Sequence, residues 1–259
     1  MIITILGADG VVKAKAERTA DVRLVYDKEY EEGDSISLSS DKTEFVVTQL
    51  EDSISPVLCF LRGEFNFPVP FAEKRVCYSP KSFSGAMHVL WARSASQREV
   101  ESYRNLALNP LDNHSNSALF PHASANVETR GESVFAAFNA INGNITSAGH
   151  GEWPYESWGI NRRDDAEILI DFGCDVKIDK VVITLRADFP HDNWWKNATL
   201  IFSDGSKFVP TFVKSGDPQA FDIDSRIVRN VIMKELVKDE NDPSPFPALV
   251  QLEVWGVPV

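Results

Sequence analysis

Apolar residues in this 259-residue chain come in short runs that alternate with polar ones, and Gly, Pro, Asp or Ser interrupts each run before a helical period is established. A period of two puts successive side chains on opposite faces of a strand, so the pattern predicts half-buried β-strands and excludes a helical bundle. In the first half, strands are expected at residues 1–6, 22–26, 35–38, 44–50, 57–61, 76–78 and 88–92. In the second half they are expected at 168–173, 180–185, 199–202, 208–212, 228–233 and 250–255, with Ser203-Asp204-Gly205-Ser206 as a tight turn. One or two helical turns fit residues 97–106, where Val100, Tyr103 and Leu106 share a face, and another fits 134–138. His88, between apolar neighbours, reads as a core residue.

The stretch from Asn109 to Ser117 is polar and lacks any apolar period, which reads as a linker. It divides the chain into residues 1–115 and 116–259, each near the usual size of a domain. The fold class expected is therefore mainly β, with two β-sandwich domains. A hydrophobic fraction of 43% supplies ordinary cores without help from disulfides or metals.

Acidic residues outnumber basic ones 38 to 26, for a net charge of −12, and they exceed them in both halves. Nucleic acids and anionic membranes both require clustered Lys and Arg, so neither is an expected partner. No apolar run approaches the ~18–20 residues that span a bilayer. The first six residues are apolar but lack a basic flank, and read as a strand rather than a signal peptide. Cys59, Cys77 and Cys174 are odd in number and form no Cys-x-x-Cys pair. Free thiols and a cytoplasmic location follow as expectations.

Phosphate-binding glycine loops, HExxH, GxSxG and Cys/His zinc spacings are all missing. What is concentrated is aromatic. Four of the six tryptophans fall in two loop-like segments, Trp153 and Trp158 in residues 149–163, Trp194 and Trp195 in residues 186–195. Both segments mix aromatics with His150, Arg162, Asp188, His191 and asparagines. A sugar ring carries C–H groups on a face and hydroxyls around its edge, so a flat aromatic beside hydrogen-bonding side chains suits it. The alternative for each indole is a place in the core, pinning a long loop to the sandwich.

The second half resembles the discoidin-like, coagulation-factor type C family, which includes the family 32 carbohydrate-binding modules and has a galactose-binding-like jelly roll. Six segments carry the resemblance, in family order: Ala123-Ser124-Ala125; residues 138–146, similar to an Asp-Gly-Asn loop; Ile170-Asp171-Phe172-Gly173; residues 178–183; Phe202-Ser203-Asp204-Gly205-Ser206; and Leu252-Glu253-Val254-Trp255-Gly256. It covers roughly residues 116–259 and implies that fold there. It also implies a structural calcium held by Asn142, Thr146 and Glu253. Asn142 stands where the family commonly has Asp, which removes one charge from a site that depends on charged oxygens. Residues 1–115 resemble no family.

The function expected first is non-catalytic carbohydrate binding, with a sugar held by His150, Trp153, Trp158, Arg162, Asp188, His191, Trp194 and Trp195. The alternative is a carbohydrate-active enzyme, a lyase, isomerase or hydrolase, drawing on His122, Glu128, Arg130, His150, Glu152, Asp188, His191 and Asp192. A third reading is a protein-interaction module, which exposed aromatics would also serve.

Overall fold

The structure is a computed structural model that describes residues 1–187 and 193–259. Every strand pairing among these residues is antiparallel. In the first half, a four-stranded sheet runs in the order Val12–Glu17, Ile2–Leu6, Ser35–Ser39, Glu64–Pro68. A five-stranded sheet runs Leu119–Phe120, Val57–Leu61, Glu44–Gln49, His88–Ser94, Asp21–Tyr26. Alternation does what it promised: in Asp21–Tyr26, Val22, Leu24 and Tyr26 face inward and the residues between them face water. Ile3, Ile5, Ile36, Leu38, Phe65 and Phe67 of one sheet meet Val46, Cys59, Leu61 and Leu90 of the other in one core. His88 sits inside it as expected, its Nε2 3.0 Å from the Gly85 carbonyl oxygen.

Among the strands that escaped the pattern, two lie in the four-stranded sheet. Val12–Glu17 is an edge strand whose Lys and Glu residues replace the apolar signal, a common way to blunt an edge. Glu64–Pro68 alternates Phe with polar residues but is only five residues long. The strand expected at 76–78 does not exist. That segment follows a 3₁₀ turn, Ala72–Arg75, and its apolar residues face the other half of the molecule. Cys77 packs with Val134, Phe135, Ala136 and Phe138 in a small cluster of its own. The helix at 97–106 shrinks to Gln97–Val100, opened by a reciprocal Ser96/Glu99 capping box. The turn at 134–138 becomes two short 3₁₀ segments, Ser133–Phe135 and Ala137–Ile141.

The second half is built on two long bent strands, Ile168–Leu185 and Gln219–Lys238. Residues 168–171 lie between His122–Ala125 and residues 230–233, whereas residues 176–185 lie between residues 219–228 and Ala248–Pro258. The register shifts between Asp171 and Val176, where Gly173 has φ +72°. There the strand leaves one layer and enters the other. A Cβ on Gly173 would stand 2.4 Å from the Phe120 ring, so that corner admits only glycine. Trp195–Phe202 and Lys207–Phe208 complete the first layer, joined through the expected turn with Gly205 N–H on the Phe202 carbonyl at 2.9 Å. Pro210 stops the strand that was expected to reach residue 212. Ile168, Ile170, Phe202 and Met233 face Ile178, Val181, Ile183 and Leu252 across a second core.

The polar stretch 109–117 holds a buried knot, with His114, Ser115 and Ser117 left exposed. Asn109, Asp112 and Asn116 are all buried. Asn109 Nδ2 donates to the Leu119 and Pro121 carbonyls at 3.0 and 2.8 Å. Asp112 accepts from Asn116 Nδ2, His122 Nδ1 and the Ala123 N–H at 2.6, 2.8 and 2.7 Å. On either side of the knot the chain lends a short strand to the opposite half. Arg104–Asn105 pairs with Trp255 and Gly256, and Leu119–Phe120 pairs with Leu61 and Phe60. Leu106 and Ala107 lie in the second core, Leu111 and Leu119 in the first.

Candidate functional site

Turns at one end of the second sandwich close around a cleft of about 150 Å³. Its polar walls are Arg130, His150, Asn161, Arg162 and Arg186, and its apolar wall includes Phe135 and Phe246. Residues 160–163 form a tight turn in which the Arg163 N–H reaches the Ile160 carbonyl at 2.9 Å, with φ +49° at Asn161 and +63° at Arg162. Positive φ at both central residues is the mirror-image turn that normally selects Asn and Gly. An arginine there carries strain of roughly 1 kcal/mol, and the turn holds its guanidinium 4.4 Å from the centre of the Phe246 ring. Phe246 stands between Pro245 and Pro247 and is 39% exposed. Arg186 is buried, its Nη1 3.4 Å from Ser157 Oγ. No Asp or Glu is among the described residues that line this cleft.

The residues expected to hold a sugar separate into three groups. His150 and Arg162 come together here. Asp188 and His191, with Asp192 of the catalytic alternative, lie outside the described residues, between Arg186 and the start of Trp195–Phe202. The tryptophans disperse, which corrects the expected four-indole floor. Trp158 is fully buried, donates from Nε1 to the Val127 carbonyl at 2.9 Å, and lies 6.4 Å from the Trp195 ring. Trp195 is also buried, and its Nε1 finds no acceptor among the described residues. Both are core residues. Trp194 is half-buried, with Nε1 on Asp239 Oδ2 at 3.3 Å. Trp153 is 42% exposed but lines a different cavity.

That second cavity, about 680 Å³, lies between the two halves and is lined by Tyr78, Lys81, Asn144, Trp153 and Glu156 among others. Glu156 is 3% exposed. Its Oε1 accepts from Asn142 Nδ2 and Asn144 Nδ2 at 2.9 and 3.0 Å, while its Oε2 has no partner among the described residues. Burial raises its pKa above the usual carboxylate value, against the pull of those amides. Sequence reading missed Glu156, Arg186 and Phe246. For Phe246 a signal existed, since Pro on both sides holds a ring out of a strand; for the other two, burial is invisible without the fold.

The remaining ionisable candidates are engaged structurally. His122 pairs with Asp112, Arg130 with Glu132 at 2.5 Å, and Glu128 takes His114 Nε2 and the Ala137 N–H, both at 2.8 Å. Glu152 is exposed. The residues expected to hold calcium make other hydrogen bonds. Glu253 Oε2 accepts from Trp255 Nε1 at 2.8 Å, and Thr146 contributes a backbone N–H to Asn144 Oδ1 at 3.1 Å. Asn142 Oδ1 accepts from the Asn144 N–H and from Gln251 Nε2. No group of three or more His, Cys, Asp or Glu residues placed to hold a metal occurs among the described residues.

No known family and no curated protein matches the chain by sequence. Solved structures do. A chitosan-binding module from a Paenibacillus sp. IK-5 chitosanase/glucanase is similar over 59% of this chain and 99% of its own, at 18% identity and a TM-score of 0.42. The family 32 carbohydrate-binding module of C. perfringens NanJ, in complex with galactose, is similar over 51% and 91%, at 18% identity and 0.39. The lectin domain of lectinolysin, complexed with Lewis B antigen, is similar over 58% and 95%, at 18% identity and 0.41.

Proposed function

We propose that the chain binds carbohydrate in the cleft at the end of its second sandwich. The observation that carries this reading is the pairing of an exposed aromatic, Phe246, with hydrogen-bonding groups that a turn of unfavourable backbone holds in place, Asn161 and Arg162. Strain that persists at a surface turn is a mark of function. His150 supplies a further polar group.

The test is a glycan array holding neutral and acidic sugars, followed by calorimetry on the best ligand. Phe246→Ala should weaken binding about ten-fold or more, as loss of a central aromatic contact does. Arg162→Gly should weaken it similarly while leaving the melting temperature unchanged or higher, because glycine relieves the turn. Full affinity in both variants would remove this cleft from consideration.

A catalytic reading is favoured by one observation, the buried Glu156 with a raised pKa and an oxygen that has no partner among the described residues, beside a cavity that also holds Trp153. A protonated carboxylic acid is what a glycosidic leaving group needs. Turnover of any glycan that disappears in Glu156→Gln would establish it.

A further inference from the structure

The loop 139–146 was expected to fold around calcium, and its interior is already filled. Gln251, 1% exposed, projects from Ala248–Pro258 into the loop. Its Nε2 lies 2.6 Å from the Asn139 carbonyl oxygen, 2.9 Å from Asn142 Oδ1 and 2.7 Å from the Val250 carbonyl oxygen. Its Oε1 accepts the Gly143 N–H at 2.9 Å, which fixes which end of the amide faces the oxygens. An amide nitrogen carries only two hydrogens, so three oxygens at this distance form a cage of the kind that surrounds a small cation. Calcium would need six to eight oxygens, several of them charged, at ~2.3–2.6 Å. Asn142 and Gln251 are neutral, Glu253 is held by Trp255, and the nearest linked carboxylate, Glu156, is one amide away through Asn142. The residues present do not fit the metal.

We propose that Gln251 Nε2 occupies the cation's position, so that this loop is ordered by a side chain of the protein itself and is indifferent to calcium. Gln251 tethers the Asn139 carbonyl and the Asn142 side chain; Asn142 in turn donates to Glu156, which also accepts from Asn144. A ligand set that has lost its charges and gained a donor works without the ion, and a single pair of substitutions should reverse the exchange.

The experiment compares the melting temperature of the full chain in EDTA and in millimolar CaCl₂. The wild-type protein should melt at one temperature in both, and calorimetry with CaCl₂ alone should show no binding. Gln251→Glu should melt several degrees lower in EDTA, because an oxygen then faces three oxygens. The double variant Asn142→Asp/Gln251→Glu should regain stability in calcium, by on the order of 5 °C when the ion is far above its dissociation constant. Wild-type protein that binds calcium by calorimetry or melts higher in it would overturn the proposal. So would Gln251→Glu melting at the wild-type temperature in EDTA. Should the double variant fail to fold in either buffer, the wild-type calorimetry and the Gln251→Glu melt still decide.

Discussion

Trp158→Ala will cost ~3–5 kcal/mol of stability, the range for a large aromatic removed from a packed core. The indole is fully buried, its ring faces Trp195, and its N–H is satisfied by the Val127 carbonyl. Truncation leaves a void between the turn at 127–129 and the strand it pairs with, Ala248–Pro258, and orphans that carbonyl. At roughly 2–4 °C per kcal/mol for a chain of this size, the melting temperature should fall by about 10 °C. Trp153→Ala is the contrast. That side chain is 42% exposed and lies outside the cores, so its loss should cost far less, about 1 kcal/mol or below. Equal melting temperatures for the two variants would mean that Trp158 is not a core residue.

Asp112→Ala should be nearly as damaging, by ~3 kcal/mol, since it takes an acceptor from three groups, of which only Asn116 Nδ2 keeps another, the Leu119 carbonyl at 2.6 Å. One of them is His122. Burial works against a charge on that ring, but the hydrogen bond and charge of Asp112 outweigh it and hold its pKa above the ordinary 6.5. A raised histidine pKa contributes stability that is complete below the unfolded value and fades as pH rises through the folded one. His114, raised first of all by its hydrogen bond to Glu128, adds in the same direction. Denaturant melts should therefore show stability declining as pH climbs from about 6.5, with a shallower decline in His122→Gln. A slope unaltered by that substitution would assign the pH dependence elsewhere.

The strands were legible because burial on one face imposes alternation, and nearly every run that alternated became a strand. What could not be read was where one layer ends and another begins. Residues 168–173 and 180–185 look like two strands because Gly173 and its neighbours interrupt the apolar pattern, yet the backbone passes through as a single strand that changes layers. The stretch 109–117 reads as a linker from its composition, yet Asn109, Asp112 and Asn116 are buried, for a related reason. Asn, Asp and Ser favour solvent in general, but side chains that satisfy one another can be buried, and the sequence does not show partners. Of the residues expected to hold a sugar, His150 and Arg162 line one cleft. Two of the four tryptophans turn inward because the same side chain that suits a sugar also suits a core, and only strand register decides, Trp158 against Leu249 and Trp195 against Lys238.

The short strands exchanged on either side of residue 112 have a consequence for partial unfolding. Leu119–Phe120 covers the outer edge of Val57–Leu61, and Arg104–Asn105 covers residues 255–256. If either sandwich melted while the other held, the survivor would lose its cover and present open backbone N–H and C=O groups. Such an edge recruits strands from other chains. Each sandwich therefore acts as the other's guard against self-association, and a substitution that loosens one should be seen first as aggregation of the whole molecule.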